Sequence, residues 1–349
     1  MYANDKLNSK ILQDVKCGKV RPWRPKKKKN IVLSKSLHRL GQCKKANRVW
    51  WCSSCLTFMK NIGTGEMILE KAGFCRDRLC PMCQWRRSLR LFCQVSKVMD
   101  AVQQRRDDMV PVFITLTVRN CAGSALLSTV DEILKGWRNF NDHRKIRKIV
   151  VGWFRGLEVE YDGDIDISQE RYERNPSYYD RIGIRVGDAN PNYDTFHPHI
   201  HAILMVKKDY FKSKDYMHTT DWVKLWRTSM GLNYDPVCDI RAVKSERGRY
   251  KEVAEVAKYT FKDNEILTHE NNMTDKLVGI LGDALRYRRL FAYGGLLKEI
   301  AKELGAERPD EGDLVNVDDE KVREDIATLM EVYRWNFGMS NYVLEEKKG

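Results

Sequence analysis

This sequence lacks the features of several large protein classes. No apolar run approaches the ~18 residues that a membrane span requires, and Met1 to Lys10 lack the apolar core of a secretory signal. No GxxxxGKS/T phosphate-binding loop and no internal repeat occur. We therefore expect a cytoplasmic protein that neither spans a membrane nor hydrolyses ATP.

The charge balance and the cysteines narrow the class further. The chain has 349 residues, enough for one large or two modest domains. Its 62 lysines and arginines exceed its 48 acidic residues, and the net charge of +14 favours polyanionic partners, although many soluble proteins share it. Ten cysteines without an export signal are more often reduced thiols or metal ligands than disulfides.

Composition and periodicity divide the chain into four segments. Residues 1–48 are polar and irregular, and the lysine run within them predicts a mobile basic arm. Residues 49–106 hold a cluster of five cysteines between Cys52 and Cys83, followed by a helix, and residues 107–268 interleave strands with helices. Residues 269–349 are predicted to be helical, with an acidic linker or solvated helix at 303–325.

The third segment predicts an α+β fold. Apolar residues occupy every second position from Val112 to Val118 and would point to one side of the chain. The residues between them, Phe113, Thr115 and Thr117, would point to the other side. This period of two indicates a strand. The same reasoning predicts strands at 152–161, 199–206 and 237–243, helices at 128–144, 220–230 and 252–261, and a long loop or inserted hairpin at 162–195. Short strands that are apolar on one side favour a sheet with helices packed on one face.

Three histidines alternate along the strand predicted at 199–206 and just before it. His197, His199 and His201 would project from one face, so that His199 and His201 both present nitrogen atoms to one divalent ion. His197 is either a third ligand or a neighbour. The chain has only seven histidines, which makes a cluster without a metal the weaker interpretation.

A carboxylate on a neighbouring strand would complete the metal site. Glu158 is the first candidate, although Glu160 faces the same way and either residue could be a solvated edge charge. A mixed nitrogen and oxygen site favours Mn²⁺ or Mg²⁺ acting as a Lewis acid on a phosphate. Three histidine ligands would instead favour Zn²⁺ with a bound hydroxide.

Glu255 and Tyr259 lie four residues apart, on one face of the predicted helix. Tyrosine can be a nucleophile, and a carboxylate one turn away can act as a base for the tyrosine or for water. The chain has 15 tyrosines, so the pair alone would more often be part of a core. Lys258 and Lys262 are candidate DNA contacts beside it.

The cysteines suggest a structural zinc site. Cys52 and Cys55 form one CxxC pair, Cys80 and Cys83 form a second, and Cys75 is a fifth candidate. The alternative is a group of buried free thiols. Arginines beside these cysteines would contact the DNA backbone, namely Arg76, Arg78, Arg86 and Arg87.

The order of these motifs resembles that of the HUH endonucleases. The strand at 113–117 is followed by Glu158, then by the His199-Ile200-His201 motif, then by Tyr259. The segments at 74–87, 222–226 and 293–296 are similar to those of single-tyrosine replication initiators from Gram-positive rolling-circle plasmids. The resemblance covers roughly residues 50–305. It implies an HUH-type, RRM- or ferredoxin-like antiparallel sheet with flanking helices, an N-terminal zinc segment and a helical C-terminal region.

The resemblance also implies a mechanism and partners. Tyr259 would attack a hairpin or single-stranded nick site at the plasmid double-strand origin, forming a 5′ phosphotyrosine, and Glu255 would activate water at termination. His199, His201 and Glu158 would hold the catalytic metal. A host helicase would be a partner. The shared zinc ligands would be Cys52, Cys75, Cys80 and Cys83, with Cys55 as the extra cysteine.

Two other functions are compatible with these motifs. A non-catalytic, zinc-stabilised DNA-binding protein would explain the charge and the cysteines but not the histidine strand. A relaxase or a single-strand transposase would use the same chemistry on different DNA. The sequence leaves open whether the protein is a monomer or a dimer.

Overall fold

The computed structural model describes residues 10–13, 15–16, 19–243, 246–258, 260–306, 312–317 and 328–348. The chain forms two compact units, and each is discontinuous in sequence. Unit 1 comprises residues 1–101, 269–282 and 300–349, and unit 2 comprises residues 102–268 and 283–299. Within the described ranges, no helix combines the length and apolar character needed to cross a membrane.

Twelve helices are labelled here in chain order within the described residues. They are α1 (Trp23–Arg39), α2 (Cys43–Trp51), α3 (Pro81–Arg105), α4 (Leu126–Asp142), α5 (Arg144–Ile149), α6 (Gln169–Arg174), α7 (Pro176–Arg181), α8 (Thr219–Met230), α9 (Glu246–Val256), α10 (Asp263–Leu267), α11 (Asn271–Leu285) and α12 (Gly295–Glu303). Two short 3₁₀ helices lie at Gly123–Ala125 and Lys208–Lys212.

The strands are labelled in the same way. They are β1 (Val15–Lys16), β2 (Lys19–Val20), β3 (Cys55–Asn61), β4 (Met67–Ala72), β5 (Met109–Thr117), β6 (Cys121–Ala122), β7 (Val150–Asp162), β8 (Thr195–Lys207), β9 (Cys238–Ala242), β10 (Phe291–Gly294), β11 (Thr328–Asn336) and β12 (Asn341–Lys348).

Unit 2 is built on an antiparallel sheet with strand order β10-β7-β8-β5-β9, and the short β6 pairs with β8. Strands were predicted at β5 and β8 from the alternation of apolar residues, and both are present; they are interior to the sheet and mostly buried on both faces rather than on one. The register places Glu158 opposite His199 and Thr115 opposite His201. The predicted α+β architecture with an antiparallel sheet is therefore confirmed.

One face of this sheet packs against α4 and α8. The Trp137 ring of α4 lies 5.1 Å from the ring of Trp153 on β7. Trp226 of α8 donates its indole N–H to the Thr117 carbonyl oxygen at 2.8 Å. Because side chains alternate along a strand, Trp153 and Glu158 project from opposite faces of β7.

Helix α9 lies on the other face, which corrects the prediction that the helices pack on one face only. A Cβ atom added to Gly156 would lie 2.6 Å from the carbonyl oxygen of Val256, the last residue of α9. This close approach requires glycine at position 156. This face of the sheet also carries aromatic rings that must be buried, including Phe154 and Tyr293, whose centroids are 4.6 Å apart.

The segment at 162–195, predicted as a long loop or an inserted hairpin, combines local antiparallel pairing with two short helices. It contains α6 and α7, and an isolated bridge pairs Asp166 with Ala189. The Arg171 guanidinium donates to an Asp162 carboxylate oxygen at 2.7 Å and to the Tyr179 hydroxyl at 2.9 Å. This half-buried ion pair joins the insertion to the end of β7.

In unit 1, α1 and α2 replace most of the predicted mobile arm. The lysine run predicted a solvated, mobile segment, but one of its members, Lys27, has no exposed side-chain surface. Its ammonium donates to the carbonyl oxygens of Trp50 and Cys52 at 2.6 and 2.7 Å and to the Ser54 hydroxyl at 2.8 Å. A buried charge with all three donors satisfied is compatible with a packed helix.

The C-terminal region is not entirely helical, which corrects a further prediction. Strands β11 and β12 form a hairpin, and unit 1 contains a sheet with the order β12-β11-β3-β4. Tyr333, Trp335 and Tyr342 are buried in this unit, and the alternation of Tyr333 and Trp335 is the strand period. Most of the acidic segment predicted at 303–325 lies outside the described residues.

Candidate functional site

Three side chains meet on the α9 face of the unit 2 sheet. Glu158 comes from β7, and His199 and His201 come from β8; all three are buried. The Nε2 atoms of the two histidines are 3.1 Å apart, and Glu158 Oε2 lies 3.6 Å from the first and 3.2 Å from the second. One ligand atom from each residue lies within 4.8 Å of the others, close enough to bind one metal ion.

The outer nitrogen of each imidazole is held by a neighbouring group. The Nδ1 of His199 donates to the His197 carbonyl oxygen at 3.0 Å, which leaves an unprotonated Nε2 in the neutral ring. The Nδ1 of His201 hydrogen bonds to the Thr115 hydroxyl at 2.9 Å. Such outer contacts orient histidine ligands, so both Nε2 atoms point towards Glu158 before any ion binds.

The electrostatics of this group also suit a cation. Burial opposes ionisation of Glu158, but hydrogen bonds and charge from His199 and His201 outweigh it and hold the pKa of the carboxyl well below its usual value. Burial opposes protonation of His199, yet the Glu158 carboxylate raises the pKa of this ring overall. Two imidazoles and a carboxylate form a donor set that divalent transition metals accept.

His197 and Glu160 lie beside this group and, with His199, form a second group that could hold a metal ion. They could share an ion with His199, and their ligand atoms also lie within 4.8 Å of one another. Burial and the charge of His199 lower the pKa of His197 to about 4, so this ring is neutral at pH 7. Glu160 already forms an ion pair with Lys262, a predicted DNA contact, and Lys262 also lies 3.2 Å from Glu265.

Glu255 borders the same group from the last turn of α9. Its Oε1 lies 3.8 Å from His201 Nε2, and Lys258 forms an ion pair with its carboxylate. Helix α9 ends at Val256 rather than near residue 261, which corrects the predicted length of this helix.

The chain leaves the helix because it turns towards β7, where Val159 N–H donates to the Thr260 carbonyl oxygen at 2.7 Å. Tyr259 itself lies outside the described residues. Of the residues next to it, Lys258 forms an ion pair with Glu255, and Thr260 hydrogen bonds to β7.

Four cysteines meet in unit 1. The Sγ atom of Cys52 lies 3.6 Å from those of Cys80 and Cys83, and the Cys75 and Cys83 sulfurs are 3.7 Å apart. Cys55 begins β3 and is not part of this group, which excludes the two CxxC pairs as the ligand set. The structure instead brings together the four cysteines that the family resemblance implied.

This sulfur group has the features of a closed structural site. Backbone N–H groups of Cys75 and Arg76 donate to the sulfurs of Cys52 and Cys83 at 3.5 and 3.2 Å. Burial raises the pKa of the Cys80 thiol, so the four thiols do not all ionise unless a cation lies between them. Four sulfur ligands are the donor set of structural zinc sites.

Two supporting residues escaped the sequence analysis. Lys27 belongs to a lysine run with no distinguishing signal, yet it binds the Cys52 carbonyl oxygen. Asn30, three residues later, is fully buried and accepts hydrogen bonds from the Cys80 thiol at 3.2 Å and from Met82 N–H at 3.3 Å. The three-residue spacing of these two polar residues on one helix was the only available signal.

The predicted arginine contacts are in different environments. Arg76 is exposed, and Arg78 and Arg87 are partly exposed. Arg86 is buried and donates to the carbonyl oxygens of Leu314 and Val315 at 2.9 and 2.7 Å. Its assignment to DNA binding is therefore corrected, because its guanidinium is used inside unit 1.

Comparison with known proteins places this chain in a family. Residues 66–343 match the family model described as "Replication protein". A "Protein rep" from Bacillus amyloliquefaciens is 32% identical over 369 residues, covering 99% of this chain and 100% of that relative. A "Protein rep" from Lentilactobacillus hilgardii is 33% identical over 345 residues, covering 97% and 100%. A third, from Streptococcus pneumoniae serotype 2, is 32% identical over 343 residues, covering 97% of each.

No solved structure matches the chain. The family model spans most of the sequence, and the three relatives align over nearly their whole length. The resemblance to rolling-circle plasmid replication initiators is thus confirmed, and the chain belongs to the replication protein family.

Proposed function

We propose that this protein initiates rolling-circle plasmid replication by nicking one strand of the double-strand origin with Tyr259. The observation that supports this most strongly is the buried group of Glu158, His199 and His201, with residues that flank Tyr259 beside it. We infer that the unit 2 sheet is an HUH-type nuclease core. Membership of the replication protein family supports a role in replication, whereas the nicking chemistry is our proposal.

In the proposed reaction, the Tyr259 oxygen attacks the scissile phosphorus, and the bond from phosphorus to the 3′ oxygen breaks. The phenolic proton passes to a base, and the departing 3′ oxygen takes up a proton to become a free hydroxyl. The products are a 5′ phosphotyrosine and a 3′ end that can prime synthesis. No nucleotide hydrolysis is required, because the phosphotyrosine retains the energy of the broken bond.

Glu158, His199 and His201 would hold the divalent ion, which when bound polarises the scissile phosphate as a Lewis acid. Both groups that contain His199 include a carboxylate, which favours Mn²⁺ or Mg²⁺ over a three-histidine zinc site. The side chains themselves supply orientation, since Thr115 and the His197 carbonyl fix the two imidazoles.

Glu255 is the proposed base for water at termination. Its side chain is partly exposed and lies next to His201, and its pairing with Lys258 holds the carboxylate at the edge of the group. The water proton would pass to this carboxylate as the water oxygen forms its bond to the phosphorus of the completed origin. The bond from that phosphorus to the 3′ oxygen would break, which leaves a 5′ phosphate and, after proton uptake, a 3′ hydroxyl. In unit 1, the four cysteines would bind Zn²⁺ as a structural ion.

The test is a search for the covalent product. The wild-type protein is incubated with Mn²⁺ and a library of single-stranded hairpins with randomised loops, then analysed by denaturing gel and peptide mass spectrometry. We expect a DNA-linked peptide that contains Tyr259. Tyr259→Phe should lose the adduct, since only the attacking oxygen is removed, whereas Tyr287→Phe, at a tyrosine with 84% exposure, should retain it.

An equal yield of adduct from Tyr259→Phe would sink the assignment of the nucleophile. The absence of any adduct from the wild-type protein with Mn²⁺ or Mg²⁺ would favour a DNA-binding protein without catalytic activity.

A further inference from the structure

An exposed face of α2 is not used by the proposed reaction. Lys44, Asn47, Arg48 and Trp51 are all exposed and follow the spacing i, i+3, i+4 and i+7, which places them on one side of the helix. We call these four residues the α2 face. The helix contains no acidic residue. Its opposite side, with Ala46 and Val49, is buried.

The cations of the α2 face are available to a partner. Lys45, on another side of the helix, lies 3.4 Å from Asp77. Within the described ranges, neither Lys44 nor Arg48 forms an ion pair. Trp51 is 58% exposed, and its ring meets that of Phe337 edge-on at 6.2 Å. Two cations without an ion-pair partner among the described residues, an amide and an exposed aromatic ring are side chains that proteins use to contact the phosphates and bases of nucleic acids.

Helix α1 is placed as the first helix of a helix-turn-helix motif is placed, next to the helix that would contact DNA. Helices α1 and α2 are joined by Leu40, Gly41 and Gln42, and Gly41 has a φ of 74°, which favours glycine. A short turn with glycine between two helices is typical of helix-turn-helix motifs, whose second helix enters the DNA major groove. Helix α2 has nine residues and is about 13 Å long, enough to face roughly four base pairs.

The cysteine group fixes the position of this helix. Cys52, a candidate zinc ligand, directly follows the last residue of α2, and the Lys27 ammonium binds the carbonyl oxygens of Trp50 and Cys52. The Ser34 hydroxyl of α1 donates to the Ala46 carbonyl oxygen at 2.7 Å. A face held this firmly loses little conformational entropy when it binds.

We propose that the α2 face binds duplex DNA in the major groove. Arg48 and Asn47 have side chains that read guanine and adenine edges, and Lys44 would contact a phosphate. A single strand is the poorer fit, because such sites need a groove lined with several stacking rings. The inference rests on the proposed DNA function, but it does not depend on the tyrosine chemistry.

The test compares duplex and single-stranded binding by the full chain. Fluorescence anisotropy is measured with a mixed-sequence duplex of about 30 base pairs and with one of its strands, over a range of KCl concentrations. We expect Lys44→Ala/Arg48→Ala to weaken duplex binding about tenfold and, through the lost phosphate contact of Lys44, to reduce the slope of log affinity against log salt by about 1. Single-strand affinity should change less than about twofold.

The matched control is Lys135→Ala/Arg138→Ala, which removes the same charge from exposed positions on α4 of unit 2. It should leave duplex binding unchanged. Zinc content and far-ultraviolet circular dichroism establish that each variant is folded. Lys44→Arg/Arg48→Lys, which keeps both charges, should retain the salt slope if the wild-type contacts are electrostatic.

A second measurement tests the reading of bases. Duplexes selected from a random library by the wild-type protein should share a preferred sequence, and Asn47→Ala should lose the preference at one position. Unchanged duplex affinity in the Lys44→Ala/Arg48→Ala variant would overturn the proposal, as would an equal loss on duplex and single strand. If the wild-type protein binds duplex through α2 but forms no tyrosine adduct, the proposed function fails and this inference stands.

Discussion

The two groups of this protein that could bind metal ions are built in opposite ways. Glu158, His199 and His201 project from neighbouring strands of one sheet, whose hydrogen bonds set their spacing. The four cysteines come from separate places: the end of α2, the stretch before α3 and the first turn of α3. A sheet can keep its ligands in place without an ion, whereas separate segments depend on the ion to hold them together. The first design suits catalysis and the second suits stability.

The largest expected effect is the loss of one cysteine ligand. Cys80→Ser should abolish zinc binding and unfold much of unit 1, because the free energy of structural zinc binding is folding free energy. Metal analysis and a thermal unfolding curve measure both quantities. Cys55→Ser is the matched control, since Cys55 lies outside the group, and it should keep one zinc ion per chain. Full zinc content in Cys80→Ser would contradict the assignment.

Removing a ligand from the sheet should affect catalysis and leave the fold intact. Glu158→Gln keeps the shape but loses the charge, so we expect Mn²⁺ affinity to fall and nicking to slow about a thousandfold. Calorimetric titration with Mn²⁺ and a single-turnover nicking assay measure these changes. Glu160→Gln should retain most of both, because Glu160 pairs with Lys262 rather than with His201. If the two variants behaved alike, the distinction between these carboxylates would be wrong.

A smaller effect concerns a carboxylate with a purely structural environment. Glu331 on β11 is buried and lies 3.0 Å from Lys60, and its carboxylate accepts a hydrogen bond from Tyr333. Burial opposes ionisation, but these partners outweigh it and lower the pKa of Glu331. Its contribution to stability is therefore present above the ordinary glutamate pKa and is lost as the pH falls through the lowered value.

Glu331→Gln should remove this acid-sensitive contribution, about 1 kcal/mol for a partly exposed partner. Urea unfolding at neutral and acid pH measures it, and nicking at neutral pH should be unaffected. An unchanged slope of stability against pH would show that other carboxylates control acid unfolding of unit 1.

The parts predicted correctly depended on local periodicity. The alternation of His199 and His201 within a strand of apolar residues placed both rings on one face, and the sheet confirms this placement. The four cysteines that meet were the set implied by the family resemblance, whereas spacing alone favoured Cys55 over Cys75. The choice of Glu158 needed the register between β7 and β8, which the structure supplies.

The incorrect predictions share a different cause. Lys27 resembled part of a mobile arm because its partners are carbonyl oxygens distant in sequence. Helix α9 ends before Tyr259 because the Thr260 carbonyl oxygen accepts a hydrogen bond from β7. Strands β11 and β12 were assigned to a helical region because β11, which pairs with β12, has its other partner in β3, at residues 55–61.

The sequence by itself determined the chemistry available to this protein. It specified which residues are candidate metal ligands, where the central strands of unit 2 lie and that the net charge favours polyanionic partners. Only the tertiary structure decided which carboxylate joins the histidines, which four cysteines meet and which lysine is buried. The physical reason is that periodicity is a property of neighbouring residues, whereas register, ligand sets and the partners of a buried charge depend on contacts between distant parts of the chain.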